Sequence, residues 1–148
     1  MTRTDILLRD KNHKTNTGHD AKIDISVTEE QFGECYVKYT HKWVNGSAIL
    51  GRMLCRNTLH FLKGYDPKDV ESVSVYFWKD DVDLRNPLML EVCPDGVLFT
   101  RPNSSNTWCM STGNKLDTLD GQHKIFNGVD NIPARKYQRT ARANTIPS

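Results

Sequence analysis

Apolar and polar positions alternate most strongly across residues 70–101 (VESVSVYFWKDDVDLRNPLMLEVCPDGVLFTR), and the pattern predicts three consecutive strands. Val73, Val75 and Phe77 alternate with Ser72, Ser74, Tyr76 and Trp78. That is the period of two of a β-strand, in residue types that suit a pleated surface. The first set points into the core. The second begins polar and ends aromatic, so its face is expected to be half covered. Lys79-Asp80-Asp81 ends the strand, because adjacent charges are costly to bury unpaired. Asn86-Pro87 restarts the chain in extended form. Residues 88–92 form the next strand, Pro94-Asp95-Gly96 supplies turn chemistry, and residues 97–101 return.

The flanking segments carry weaker versions of the same pattern. Residues 1–21 are polar and lack the periodicity that would offset ordering entropy, so they are expected to be flexible. Residues 22–27 (KIDISV) read as a strand with Ile23, Ile25 and Val27 on one face, and Thr28-Glu29-Glu30-Gln31 as a turn or helical cap. In residues 35–42, Cys35, Val37, Tyr39 and His41 alternate with Tyr36, Lys38 and Thr40. Asn45-Gly46 is a turn pair before the apolar stretch 48–54; residues 59–62 are a second short run, and Gly64-Tyr65-Asp66-Pro67 breaks the chain. After the polar loop 102–106, residues 107–110 form a brief strand anchored by Trp108. Residues 114–120 start a short helix or close the domain as a loop, and 124–126 read as a last edge strand.

The fold expected from this order is all-β: an antiparallel β-sandwich or flattened barrel of about seven to nine short strands. It occupies residues 22–130, between a flexible segment 1–21 and a basic C-terminal tail 131–148. The expected core comprises Ile23, Ile25, Val37, Tyr39, Val73, Val75, Phe77, Leu88, Leu90, Val92, Leu98 and Trp108.

At 148 residues the chain suits one domain with a real core. Its 20 basic and 18 acidic residues leave a net charge of +2, which gives no general pull toward nucleic acid or anionic membrane. The local exception is the tail, with Arg135, Lys136, Arg139 and Arg142; its readings are RNA or acidic-lipid binding, a processing or export signal, or a solvated terminus, the last favoured. No run of about 18 apolar residues occurs. Residues 1–10 hold only Ile6-Leu7-Leu8, short of the roughly 7–15 apolar residues of a secretory signal. The chain is therefore either made without one or is a fragment.

Four cysteines, Cys35, Cys55, Cys93 and Cys109, are spread over the expected core. Even parity favours two disulfides, of unknown pairing; the alternative is four buried thiols in a reducing compartment. Their spacing with His41 and His60 does not match paired zinc ligands, and His13 and His19 have no companion ligands. Asp80, Asp81 and Asp83 lack calcium-loop spacing and read as a solvated loop. Residues 45–51 (NGSAILG) lack the spacing of a phosphate-binding loop. Asn45-Gly46-Ser47 and Asn103-Ser104-Ser105 match the N-glycosylation pattern, which by itself says nothing about location. No catalytic constellation stands out, so the expectation is a non-enzymatic chain with no cofactor and no metal.

Several segments together resemble repeat domains of secreted and surface proteins of the piroplasm parasites Theileria and Babesia, domains related to or resembling the FAINT family. They are Ile23-Asp24-Ile25-Ser26, Val27-Thr28-Glu29-Glu30, Lys38-Tyr39-Thr40-His41, residues 72–78 (SVSVYFW) with Asp80, residues 86–92 (NPLMLEV), Phe99-Thr100-Arg101, Trp108 and residues 116–122 (LDTLDGQ). The resemblance spans about residues 22–127. It implies a β-rich domain, secreted, displayed or exported to the host cell, with no enzymatic role and no catalytic residues to carry over. Cys55, Cys93 and Cys109 depart from the pattern, and no secretory signal is present, so a cytosolic setting stays open beside the secreted one.

The function expected is thus a binding module at the host–parasite boundary, with a host or parasite protein as partner. Tyr76 and Trp78 on the outer strand face, with Arg101 in the next hairpin, are the candidate partner-binding residues, since exposed aromatics and arginine carry most interface energy. They serve equally as a second layer of core. The alternative function is a carbohydrate- or lipid-binding β-sandwich.

Overall fold

A computed structural model describes residues 3–9, 14–17, 22–44, 49–55, 58–65, 69–102 and 105–127. Its strands are β1 (Arg3–Leu7), β2 (Lys14–Thr17), β3 (Lys22–Phe32), β4 (Tyr36–Trp43) and β5 (Ile49–Cys55). They continue as β6 (Thr58–Leu62), β7 (Ser72–Trp78), β8 (Met89–Cys93), β9 (Val97–Thr100) and β10 (Thr107–Ser111), followed by one helix, α1 (Lys115–Asn127). All ten strands join one sheet in the order β1-β5-β6-β10-β9-β8-β7-β4-β3-β2. The β1–β5 and β6–β10 pairs are parallel and the others antiparallel.

That order forces the sheet to curl. Laid flat, its outermost strands β1 and β2 would lie roughly 43 Å apart at the usual strand spacing. The link from Leu7 to Lys14 reaches at most about 25 Å. The strands bend around until β1 and β2 come into contact. The all-β expectation therefore holds, but as one open, curled, mixed sheet rather than a two-layer sandwich.

The concave face holds the main core. Register places Ile25 opposite Trp43, His41 opposite Val73, Tyr39 opposite Val75 and Val37 opposite Phe77. Val75 in turn faces Leu90, and Leu90 faces Phe99. Ile6 and Leu8 from the N-terminal stretch close this core, both fully buried, with Met53 and Trp108. Between Thr4 and Ile6 the β5 partner advances from Leu50 to Met53, a bulge that turns both of those residues inward.

The convex face is also apolar where α1 lies on it. Tyr36, Tyr76, Leu88, Met89 and Cys35 pack with Leu119, flanked by Phe32, Trp78, Leu98, Leu116 and Phe126. The helix begins at Asn114, whose Oδ1 accepts hydrogen bonds from the amides of Leu116 (2.9 Å) and Asp117 (3.2 Å). Asp117 in the first turn and Lys124 in the last complement the helix dipole.

Three expectations change. Arg3–Leu7 and Lys14–Thr17 are strands, so residues 1–21 are not simply a flexible lead-in; Ile6 and Leu8 have an apolar face to bury, which drives the ordering. Thr28-Glu29-Glu30-Gln31 is neither turn nor cap but continues β3, because each residue pairs with β4. Of the two readings of residues 114–120 the helix holds, and it runs on through 124–126 as α1 (Lys115–Asn127), so those residues are helical and not an edge strand. The hairpin at 94–96 stands as expected, with Gly96 at positive φ, while the β3–β4 turn falls later than expected, at 33–35, where Gly33 takes a positive φ. Tail residues 131–148, His13, His19 and both glycosylation patterns lie outside the described residues, as does the Ile23 side chain.

Replacing Val75, fully buried at the centre of the concave core, with Asp should unfold the domain at a cost above about 4 kcal/mol. A thermal melt tests this; a wild-type Tm for the Val75→Asp variant contradicts the assigned core.

Candidate functional site

Tyr76, Trp78 and Arg101 do not form an exposed surface. Tyr76 is fully buried, Arg101 is 5 % exposed and Trp78 is half-buried. The Tyr76 hydroxyl donates to Glu91 Oε1 (2.8 Å), while Lys115 Nζ holds Glu91 Oε2 at 3.1 Å. Burial, followed by the Glu91 carboxylate, pushes the Tyr76 phenol above its ordinary range. Burial also raises the Glu91 carboxyl, but hydrogen bonds from Tyr76 and Lys115 outweigh it and hold the group below its usual value. Trp78 packs edge-on against His123 of α1, centroids 4.5 Å apart. These aromatics are the second core layer, covered by the helix.

Arg101 clamps that helix to the sheet. Its guanidinium lies over the Trp108 ring (4.8 Å) and the Phe126 ring (4.5 Å). Nη2 donates to the Pro87 carbonyl at 2.7 Å, Nη1 reaches the Ser105 carbonyl at 3.4 Å, and the Arg101 amide donates to Gln122 Oε1 at 2.9 Å. Burial lowers its pKa to about 10.

No disulfide joins the four cysteines. Cys35 belongs to the convex cluster and Cys55 to the concave one, so the sheet separates them. Cys109 is opposite Thr100, whereas Cys93 is opposite Ser72, and no two cysteines face each other on neighbouring strands. Bridging needs Cα atoms within about 7 Å. The acidic loop after β7 is organised by Asp81, whose carboxylate accepts from the amides of Arg85 (3.0 Å) and Asn86 (2.9 Å). Leu84, at φ 50°, is thereby turned into the concave core. Among the described residues no cluster of His, Cys, Asp or Glu is arranged to hold a metal ion.

Two histidines line the concave core. His60 accepts through Nδ1 from Trp108 Nε1 at 2.9 Å; burial, reinforced by the Arg101 charge, lowers its pKa to about 4. Burial alone lowers that of His41 to about 4. His41 Nε2 and Trp43 Nε1, on the same face of β4, are buried without hydrogen-bond partners.

The surface feature that can receive a partner lies at the β3–β4 end of the sheet. Glu29, Gln31, Glu34, Val37, Tyr39 and Lys79 line a cleft of about 390 Å³, and Tyr36 also borders it. Gln31 Nε2 donates to the Gly33 carbonyl (3.0 Å), fixing the turn at its end. The Tyr39 phenol is raised by burial and then by the nearby Glu29 carboxylate. β2 pairs only with Lys22–Ile25 of the eleven-residue β3. Beyond Ile25 no described residue pairs with that side of β3.

The ladder shows which amides face outward. The Trp43 amide donates to the Glu71 carbonyl (3.3 Å) and the Lys79 amide to the Cys35 carbonyl (2.9 Å), so odd-numbered β4 residues bond toward β7. Even-numbered ones then bond toward β3, because antiparallel pairs alternate. Residues 28, 30 and 32 face β4, and the N–H and C=O groups of Val27, Glu29 and Gln31 point to the opposite side of β3, the side on which β2 lies. Thr28, Glu29, Glu30 and Gln31 are exposed. Reading residues 28–31 as a turn misses the β3 side of this cleft; the even alternation of Val27, Glu29 and Gln31 with Thr28 and Glu30 is the signal that β3 continues.

No family model, curated protein or solved structure matches the chain. Among the described residues no helix is long and apolar enough to cross a membrane.

Both buried imidazoles stay neutral in the folded protein to about pH 4, while unfolded histidine takes up a proton near pH 6.5. Between these values the unfolded state binds more protons, so stability is full above pH 6.5 and falls as the pH drops toward 4. The expected loss is on the order of 3–5 kcal/mol. Urea unfolding at pH 7.5, 6 and 4.5 measures it, and a flat profile contradicts neutral buried imidazoles.

Proposed function

We propose that the chain is a non-enzymatic binding module whose partner is a protein, engaged at the β3–β4 rim. The observation that carries this reading is the cleft at this rim, where charged, amide and aromatic side chains border a space of about 390 Å³. Such a cleft offers a pocket for a partner's side chain, with polar groups placed to orient it. By the resemblance to piroplasm surface domains, the natural partner is a host or parasite protein and the setting the host–parasite boundary.

A carbohydrate or lipid ligand is the second reading, and one observation favours it. His41 Nε2 and Trp43 Nε1 are buried polar groups without partners, which a small polar ligand reaching the concave face would satisfy.

Peptide display and a glycan array, run on the same protein, separate the two. Enriched peptides with no glycan hits support the protein-binding reading; glycan hits with no enriched peptide overturn it. For enriched peptides, reversing the rim charge with Glu29→Lys and Glu34→Lys together should change affinity by about tenfold or more, since both side chains line the cleft. Both positions are exposed, so the fold should persist, with loss of the Glu29 bond to the Tyr39 hydroxyl costing about 1 kcal/mol.

A further inference from the structure

We infer that the cleft at the β3–β4 rim receives one arginine side chain of the partner protein, its stem against β4 and its guanidinium held by acceptors of β3 and the turn that follows. This rests on the protein-binding reading and specifies the group recognised. Three observations carry it.

The first is how the register divides the cleft. Glu29 stands directly opposite Tyr39 and Gln31 directly opposite Val37, all four on the concave side of the sheet. The β3 wall is therefore polar and the β4 wall apolar. Val37 and Tyr39 pack into the concave core, and Phe77 braces Tyr39 edge-on, ring centroids 6.0 Å apart. A long side chain with an apolar stem and a polar head matches such a cleft better than a wholly apolar or wholly polar one.

The second is that the polar groups are fixed before any partner arrives. The Tyr39 hydroxyl donates to the Glu29 carboxylate, and Gln31 Nε2 donates to the Gly33 carbonyl at 3.0 Å. The other oxygen of Glu29, the side-chain carbonyl of Gln31 and the Glu34 carboxylate are then the acceptors that a guest meets. A guanidinium carries five N–H donors in one plane and no acceptor, so it engages several such oxygens together.

The third is charge. Glu29 and Glu34 are exposed, and among the described residues neither has an ion-pair partner. Lys79, which also lines the cleft, pairs with neither of them. Two carboxylates against one ammonium leave the cleft net negative. A cationic guest relieves the repulsion between the carboxylates, whereas an acidic one adds to it. Lysine brings the charge as a compact point with three donors and meets fewer of these acceptors.

The test is an NMR titration of the whole isotope-labelled chain with the N-acetyl amides of arginine, citrulline and lysine. Citrulline keeps the shape of arginine without its charge. A single residue binds weakly, with Kd on the order of 1 mM or above. Expected are arginine-induced shifts at the Glu29, Gln31, Glu34 and Val37 amides, and an affinity about tenfold above that of citrulline and about threefold above that of lysine. Glu29→Gln and Glu34→Gln should each weaken arginine binding about fivefold, and Lys79→Met, which removes the opposing charge, should tighten it. Glu34→Gln leaves the Tyr39 hydroxyl bond untouched, so it decides alone if Glu29→Gln disturbs the fold.

Equal binding of citrulline overturns recognition of the charge, and equal binding of lysine overturns the choice of arginine. Shifts confined to amides away from the cleft overturn the site. Absence of arginine binding overturns the inference in every case. Peptide display then separates the two levels: peptides enriched without arginine leave the protein-binding reading standing, and glycan hits with no enriched peptide overturn that reading too.

Discussion

β7 is apolar on both faces, and the rest of the molecule is arranged to keep water from each of them. Val73, Val75 and Phe77 need one cover, and Ser74, Tyr76 and Trp78 another. A strand of this kind is usual in sheets covered on both sides, not in a sheet with one wet face. Here the first cover is the sheet itself, curled so that β1 and β5 reach over the interior. The second is α1, short and polar on its exposed side. Removing either would leave several large apolar side chains in water, each worth about 1.5–3 kcal/mol of burial.

The two covers are secured by different chemistry. The concave core is mainly aliphatic and aromatic packing, with neutral histidines accommodated inside it. The convex layer is fastened by polar groups: the Tyr76–Glu91–Lys115 chain at the start of the helix and Arg101 near its end. Arg101 is met by carbonyl oxygens and two aromatic faces. A guanidinium suits that position better than an ammonium, because it is flat, weakly hydrated and stacks on rings. The convex layer therefore depends on geometry as much as on buried area, and it occupies the aromatic face that would otherwise be free to meet a partner.

How much was legible in the sequence follows from the range of each signal. The period of two in residues 72–78 and the turn chemistry at Pro94-Asp95-Gly96 are local, and the hairpins appear where they predict. The helix was harder to read. Leu116, Leu119 and Phe126 recur at helical spacing after the Asn114 cap, but Gly121 and the surrounding polar residues dilute the pattern. Nothing local says that α1 lies over β7, so for Tyr76, Trp78 and Arg101 binding and a second core layer stood equal. The N-terminal strands were hidden for another reason: Ile6 and Leu8 are few, and their partners lie more than forty residues away in β5.

The strand order also fixes when parts of the sheet can form during synthesis. β1 precedes every other element, yet its ladder partner is β5, and β6 must wait for β10 to reach the rest of the sheet. A nascent chain that has produced β3 and β4 can close that hairpin at once, while Ile6 and Leu8 have nowhere to dock. They remain uncovered until residue 55 has been added, and the concave core stays open until Trp108 arrives. Such long-range closures are slow steps, exposed to competing association. The earliest residues of the described chain are thus among the last to find their place.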